Sequence, residues 1–370
     1  MKPKIVTIVS RMNLGGIAKI IAQVINETNS EFEHILITGK CAENEIDYLK
    51  SNIVNCQIIY VETLGRKIGI TSDIRALLTI TKLLKKINPK IIHTHASKAG
   101  VLGRVSAKLS GLGPRIIHTY HGHVIQGYFN LFANLIILNI ERLLAKSTDF
   151  FIAVSNSVKE ELLSKNVGIE SQWKVIFPGI DAAISLKKFM IKDKLNLLWI
   201  GRFEPIKNPM LAIKAYELLD STNRDWFRLT MVGDGKLIKS CKDYTRQKNL
   251  NIDFTGWVKE PFNFDADLLL MTSKNEGFGL VILEAAAQGI PAIVTDISGV
   301  KDFVENNVTG WIVKQTPTAF MKILLDLKIK QESINAAGIR AREKLERLFT
   351  FEKMIENYKK LYKEVLIEAH

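Results

Sequence analysis

Short apolar runs alternate with longer amphipathic stretches from the first residues of the chain. KIVTIVS, HILIT, QIIYV, KIIHTH, RIIHTY, DFFIAVS and KVIF each read as a short, β-rich and largely apolar strand. Between them the 3.6-residue period predicts helices over 17–28, 43–51, 72–87 and 98–110. The alternation pauses at PGIDAAISLKK, so 178–190 is predicted as a linker. A second series follows: LNLLWIG, helix 208–219, RLTMVG, helix 235–248, IDFTG, ADLLLMTS, helix 280–288, PAIVT, GWIV, and helices to the end. Strands alternating with helices build parallel sheets with helices on both faces, so two doubly wound, Rossmann-like α/β domains in tandem are expected. In such folds ligands bind beyond the carboxyl ends of the strands, and the loops there are where chemistry is to be sought.

Length agrees with two domains, because 370 residues exceed what one core usually supports. Hydrophobic residues make up 47% and charged ones 24%, the balance of an ordered globular chain. Three widely spaced cysteines, Cys41, Cys56 and Cys241, suit a reducing compartment and offer no metal-ligand spacing. The apolar run after Lys4 meets Arg11 too soon for an export signal and reads as a first strand. The stretch 128–146 is broken by Asn130, Asn134, Asn139, Glu141 and Arg142, so it is read as a buried or an interfacial helix, not a membrane span. The net charge is +13, divided +8 before residue 185 and +5 after it. No recognition-helix, zinc or aromatic-basic motif points to nucleic acid. A phosphate-bearing substrate or an anionic membrane surface accounts for the surplus, with a lysine-rich background composition as the alternative.

The densest signal is TSKNEGFGLVILEAAAQG, 272–289: a strand end, a glycine-flanked loop and a helix of small residues. Glycines at 277 and 279 let an anion approach the first free amides of the helix. Glu284, a turn further in, is placed to accept hydrogen bonds from a polyol such as ribose, and Glu276 to meet hydroxyls on the other side of a phosphate. In GRFEPIKN, Arg202 and Lys207 flank a post-strand loop, where a guanidinium fork and an ammonium grip a diphosphate together. TYHGHV sets His121 and His123 after a strand of the first half, with His121 the stronger candidate to meet the reacting sugar. SRMNLGGIAKI is a tight or substrate-facing turn. THASKAGVLGR offers Ser97, Lys98 and Arg104 to an anionic acceptor. The carboxylate pair Asp265 and Asp267 precedes its strand, at the end of the sheet opposite to the expected site, so a metal role is not assigned to it.

Together GGIAKI, HTHASKAGVLGR, HTYHGH, VSNSVKEEL, GRFEPIKNP, MVGDGKL, FTGWV, ADLLLMTSKNEGFGLVILEAAAQGIPAIVTDISGVKDFV and TGWIV resemble, in order, the glycosyltransferase family 4 enzymes, retaining sugar transferases of GT-B fold. The resemblance implies an acceptor-binding domain over 1–180 and a nucleotide-sugar domain over 181–348, facing a central cleft. It implies a helix over 349–370 that crosses back to the first domain. It assigns Glu284 to the ribose and Glu276 to the donor sugar. The amides of Gly279, Leu280 and Val281, with Arg202 and Lys207, are assigned to the diphosphate, Trp257 and Val258 to the base, His121 to the donor sugar, and Gly16 to the turn facing the diphosphate. The candidate catalytic residues are therefore His121, Glu276, Arg202 and Lys207; Ser97, Lys98, Arg104 and His123 are candidates for the acceptor.

The activity expected is metal-independent, retaining transfer of a hexose or N-acetylhexosamine from a nucleotide-diphosphate sugar, UDP-linked by preference. The expected acceptor is a polyprenyl-diphosphate-linked glycan of bacterial surface polysaccharide assembly, met by a cytoplasmic protein peripheral to the anionic inner face of the plasma membrane. A sugar-nucleotide epimerase of similar fold and a non-catalytic sugar-nucleotide-binding protein are the alternatives.

Overall fold

The computed structural model describes the chain except for residue 44 and residues 66–68, 123–130, 182–192 and 368–370, with the side chains of 131–133 also undescribed. It divides into two compact units, Met1–Pro178 with Glu352–His370, and Gly179–Phe351.

The first unit runs β1 (Lys4–Val9), α1 (Gly16–Thr28), β2 (Glu33–Thr38), β3 (Gln57–Tyr60), α2 (Ile70–Ile87), β4 (Ile91–His95), α3 (Ser97–Ser110), β5 (Arg115–Tyr120), α4 (Leu131–Ala145), β6 (Phe150–Ala153), α5 (Asn156–Ser164) and β7 (Trp173–Val175). Its seven strands pair in the order β3-β2-β1-β4-β5-β6-β7, and every pairing is parallel. The central strands are buried on both faces, so their sequences do not alternate between apolar and solvent-facing residues, and the polar ones they carry, such as His93, Thr94 and His118, are buried too. The second unit runs β8 (Leu195–Ile200), α6 (Pro209–Glu217), α7 (Ser221–Arg224), β9 (Phe227–Val232), α8 (Ile238–Gln247), β10 (Ile252–Gly256), β11 (Leu268–Met271), α9 (Leu280–Ala286), β12 (Ala292–Thr295), β13 (Gly310–Val313), α10 (Pro317–Ile329) and α11 (Gln331–Leu348). Its six parallel strands take the order β10-β9-β8-β11-β12-β13. The last helix, α12 (Phe351–Ile367), belongs to the first unit from Glu352 onward.

In each sheet the chain builds outward in one direction, then returns to the centre and builds in the other. The reversal falls between β1 and β4 in the first unit and between β8 and β11 in the second. The loops leaving those four strands diverge and leave a crevice, the usual ligand position in open α/β sheets.

One expectation is overturned. The helix predicted over 43–51 is only a single turn at Tyr48–Lys50. Its backbone is taken by the β1–α1 loop, through Tyr48 N–H to Met12 O (2.8 Å) and Leu14 N–H to Ile46 O (2.8 Å), so no helical ladder forms. The linker expected at 178–190 is described only to Asp181, where Gly179 and Ile180 lie along Phe349–Phe351: Ile180 N–H donates to Phe349 O and Phe351 N–H to Ile180 O. A Cβ on Gly179 would stand 2.2 Å from Thr350 O, so glycine is required there. Helix α4 is half buried and half open, with Leu138, Leu144 and Ala145 inside and Leu135, Ile136, Ile140 and Leu143 exposed. None of the described helices is long and apolar enough to cross a membrane.

Candidate active site

In the second unit the switch-point loops are Gly201–Asn208 after β8 and Thr272–Gly279 after β11. The first is moored by its backbone: Gly201 N–H donates to Val232 O, Phe203 N–H to Asp234 O and Leu237 N–H to Phe203 O. Gly233 and Gly235 make this approach possible, since a Cβ on either would meet Gly201 O at 2.0 Å or Phe203 O at 2.8 Å, and both adopt positive φ. Phe203 is buried against Trp199 and Phe254, which turns its neighbour Arg202 out to solvent.

The two loops are zipped together. The Thr272 hydroxyl accepts from the Trp199 indole and lies 3.0 and 2.9 Å from the carbonyls of Lys207 and Asn208, while Lys274 N–H donates to Ile206 O. This brings two predicted residues from separate motifs into contact. The Lys207 ammonium pairs with the Glu276 carboxylate, which also accepts from the Ser273 hydroxyl at 2.6 Å.

The loop then turns at Gly279, in the left-handed region (φ +84°), into α9. Leu280 and Val281 are its first helical residues, so their amides lack intrahelical acceptors. Glu284 lies one turn above Leu280 and is partly buried. Trp257 follows β10 at the same end of the sheet and is half exposed, with Val258 partly buried beside it in sequence.

Gly299 escaped the sequence reading. A Cβ there would stand 1.9 Å from Glu276 O, so the post-β12 turn presses directly on the backbone that carries Glu276. The only sequence signal is a Ser-Gly step after a strand. Asp265 and Asp267 lie at the opposite end of the sheet and are engaged there by Asn196, through its side chain at 2.9 Å and its backbone N–H at 2.8 Å.

In the first unit the switch-point turns carry Gly16, the first residue of α1, and Ser97, the first of α3. Ala96 between β4 and Ser97 is held at φ +61°, a conformation costly for a residue with a Cβ. Lys98 pairs with Asp73 at 2.7 Å, both side chains being mostly buried. Arg104 corrects its expectation. It is fully buried, its Nη2 donating to Glu141 at 2.6 Å and its Nε to Gly100 O at 2.9 Å, so it holds α3 to α4 and is not available to an acceptor. One-sided sequence logic missed this because the buried partner, Glu141, is 37 residues away. His123 lies outside the described residues.

His121 follows β5, and its Nε2 is 2.9 Å from the Nδ1 of His95 at the end of β4, the two rings being stacked. Burial pulls the His121 imidazole down to about 4, so it is neutral at ordinary pH and offers a hydrogen bond, not a charge. His95 had no assigned role in the sequence. His93, two residues earlier and on the same face, is fixed by the hydroxyls of Tyr362 (2.8 Å) and Thr119 (2.7 Å), and burial lowers it to about 3.

Two parallel doubly wound sheets, each with its reversal of strand order, are the architecture of the GT-B fold. Solved GT-B structures superpose along nearly the whole chain. Sucrose-phosphate synthase from Thermosynechococcus elongatus gives a TM-score of 0.83 at 20% identity, covering 100% of both chains. Anabaena HepE, solved with UDP and glucose, gives 0.81 at 15% identity, covering 98% of this chain and 99% of the other. Residues 14–184 match the Glycosyltransferase Family 4 profile and 183–344 that of Glycosyl transferases group 1. The chain belongs to the glycosyltransferase family 4 enzymes and is a glycosyltransferase.

Among its relatives is an Escherichia coli UDP-Gal:alpha-D-GlcNAc-diphosphoundecaprenol alpha-1,3-galactosyltransferase, 29% identical over 96% of this chain and 95% of that one. Another is the capsular polysaccharide biosynthesis glycosyltransferase CapM of Staphylococcus aureus, 24% identical over 85% and 87%. Relatives of this kind do not favour the epimerase alternative.

Proposed function

We propose that this glycosyltransferase moves a hexose or N-acetylhexosamine, with retention, from a UDP-linked donor to a polyprenyl-diphosphate-linked glycan in bacterial surface polysaccharide assembly. The observation that carries it is the convergence, at the β8/β11 switch point, of Arg202, the Lys207–Glu276 pair and the start of α9. A UDP-sugar and a lipid-diphosphate acceptor are supported by the Escherichia coli relative's name, and UDP by its presence in HepE.

In this mechanism Arg202, Lys207 and the amides of Gly279, Leu280 and Val281 take the growing charge on the departing diphosphate. Glu284 accepts from the ribose, and Trp257 and Val258 hold the base. A diphosphate competes with Glu276 for the Lys207 ammonium, freeing Glu276 for sugar hydroxyls. His121 gives the transferred sugar a neutral hydrogen bond, and Gly16 lets the backbone approach the phosphates. Ser97 and Lys98 are assigned to the acceptor. With these cations the departing charge is met without a metal.

Membrane docking is assigned to the first unit. Exposed Ile70, Ile74 and Leu78 of α2 and Leu135, Ile136, Ile140 and Leu143 of α4 accompany exposed Lys82, Lys85, Lys86 and Lys146. Each Lys or Arg near an anionic leaflet contributes about 1 kcal/mol, so a few give reversible binding. The expected result is sedimentation with anionic vesicles at low salt and release at high salt; indifference to anionic vesicles overturns it.

The deciding experiment incubates the protein with UDP-galactose, UDP-glucose, UDP-N-acetylglucosamine or GDP-mannose and a synthetic polyprenyl-diphosphate sugar, in excess EDTA. Transfer from a UDP donor is expected, and Arg202→Ala with Lys207→Ala should lower kcat by about 100-fold or more. Wild-type turnover in that double variant ends the clamp. Isomerised donor without acceptor means an epimerase, and UDP binding without transfer to any acceptor means a non-catalytic binder. Activity lost in EDTA and restored by a divalent ion overturns metal independence.

A further inference from the structure

His95 lies at the carboxyl end of β4, in register with Thr119 of β5, so both point to one face of the sheet and His121, two residues past Thr119, continues that face. On it three imidazoles lie in a row, the His93 and His95 rings tilted against each other and those of His95 and His121 stacked. The ring centroids of His93 and His95 are 4.1 Å apart and those of His95 and His121 5.2 Å. The far end is anchored, because His93 is bonded at both nitrogens, to Tyr362 of α12 and to Thr119. The near end is the 2.9 Å bond between Nδ1 of His95 and Nε2 of His121.

We infer that His95 is a positioning residue for the transfer reaction: its bond to Nε2 fixes the ring plane of His121 and decides whether the remaining nitrogen, Nδ1, meets the sugar as donor or as acceptor. The inference rests on the assignment of His121 to the transferred sugar. A single proton occupies the His95–His121 bond. If His95 supplies it, His121 carries its own proton on Nδ1 and donates there; if His121 supplies it, Nδ1 is a lone pair. Burial keeps both rings neutral, with His121 lowered to about 4 and His95 held well below the ordinary histidine value, so protonation does not blur the choice. A side chain without a nitrogen at the Nδ1 position leaves His121 free to rotate and to change tautomer.

The test is a double-substitution cycle read as kcat, donor KM and UDP affinity. His121→Ala establishes whether His121 takes part at all; full activity in that variant removes the assignment and this inference with it. Given a loss there, His95→Phe, which keeps a ring of similar size, should lower kcat by about 10- to 100-fold, the scale of a displaced active-site group. UDP affinity by calorimetry should be unchanged. His95→Asn, whose amide nitrogen stands near the Nδ1 position, should recover most of the activity. In the His121→Ala background His95→Phe should cost little more. Losses that simply add, or wild-type kcat in His95→Phe, overturn the proposal. Nitrogen-15 spectra of the His121 ring give an activity-independent readout. The pattern should change in His95→Phe and be retained in His95→Asn; an unchanged His121 tautomer in His95→Phe also overturns it.

Discussion

Replacing Arg104 separates a structural from a substrate-binding role. Its side chain is 0% exposed and that of Glu141 2%, and the carboxylate accepts from Arg104 and from the Tyr120 hydroxyl, both at 2.6 Å. Removing one partner of a buried ion pair strands the other charge, at about 3–5 kcal/mol. Arg104→Met should therefore destabilise the first unit by that amount. Removing both charges, Arg104→Met with Glu141→Leu, leaves only the Tyr120 hydroxyl unpaired, about 1–3 kcal/mol, and adding Tyr120→Phe relieves that too. The order of stability should be wild type close to the triple variant, then the double, then the single.

A unit-specific probe exists. Of five tryptophans only Trp173 lies in the first unit, stacked 5.6 Å from Tyr120. Urea titrations followed by fluorine NMR of 5-fluorotryptophan resolve that unit's transition from the other's. Acceptor KM in the triple variant should match wild type. A single variant as stable as wild type but with a raised acceptor KM would return Arg104 to the acceptor site and refute the buried-pair argument.

Three further outcomes follow from the geometry. Gly299→Ala places a methyl 1.9 Å from Glu276 O, so the loop must shift and donor KM should rise while the first unit's unfolding is unchanged; normal donor kinetics would show that the contact is not needed. Glu284→Gln should weaken UDP binding by about 1.5–3 kcal/mol in calorimetry, the worth of a hydrogen bond to a charged group, and equal affinity would remove Glu284 from the ribose. His34, His93 and His121 are lowered by burial to about 4, 3 and 4, so between those values and the usual 6.5 the unfolded chain binds protons that the folded one refuses. Stability of the first unit is then fully present above pH 6.5 and lost as pH falls, by about 1.4 kcal/mol per pH unit for each such histidine. A Trp173-reported urea midpoint equal at pH 7.5 and 5.5 would contradict this.

The strands were legible because parallel strands buried on both faces are mostly apolar, and KIVTIV, LLLM and AIVT carry that mark locally. Glu276 and Lys207 could be singled out in the sequence because each stands in a charged, glycine-bearing loop directly after a strand, and the structure pairs them. Segment 43–51 misled because its periodicity suits a helix, while its hydrogen bonds go to a loop some thirty residues earlier. Arg104 misled for a related reason: a cation after a strand looks free until a carboxylate from another helix closes on it. Gly299 and His95 were invisible because what each one does is to touch a particular atom elsewhere, Glu276 O in one case and His121 Nε2 in the other. Sequence periodicity records which residues leave water. Which of them meet, and therefore which ring has its tautomer fixed and which charge is already spent, is decided only when the sheet order brings distant strands side by side.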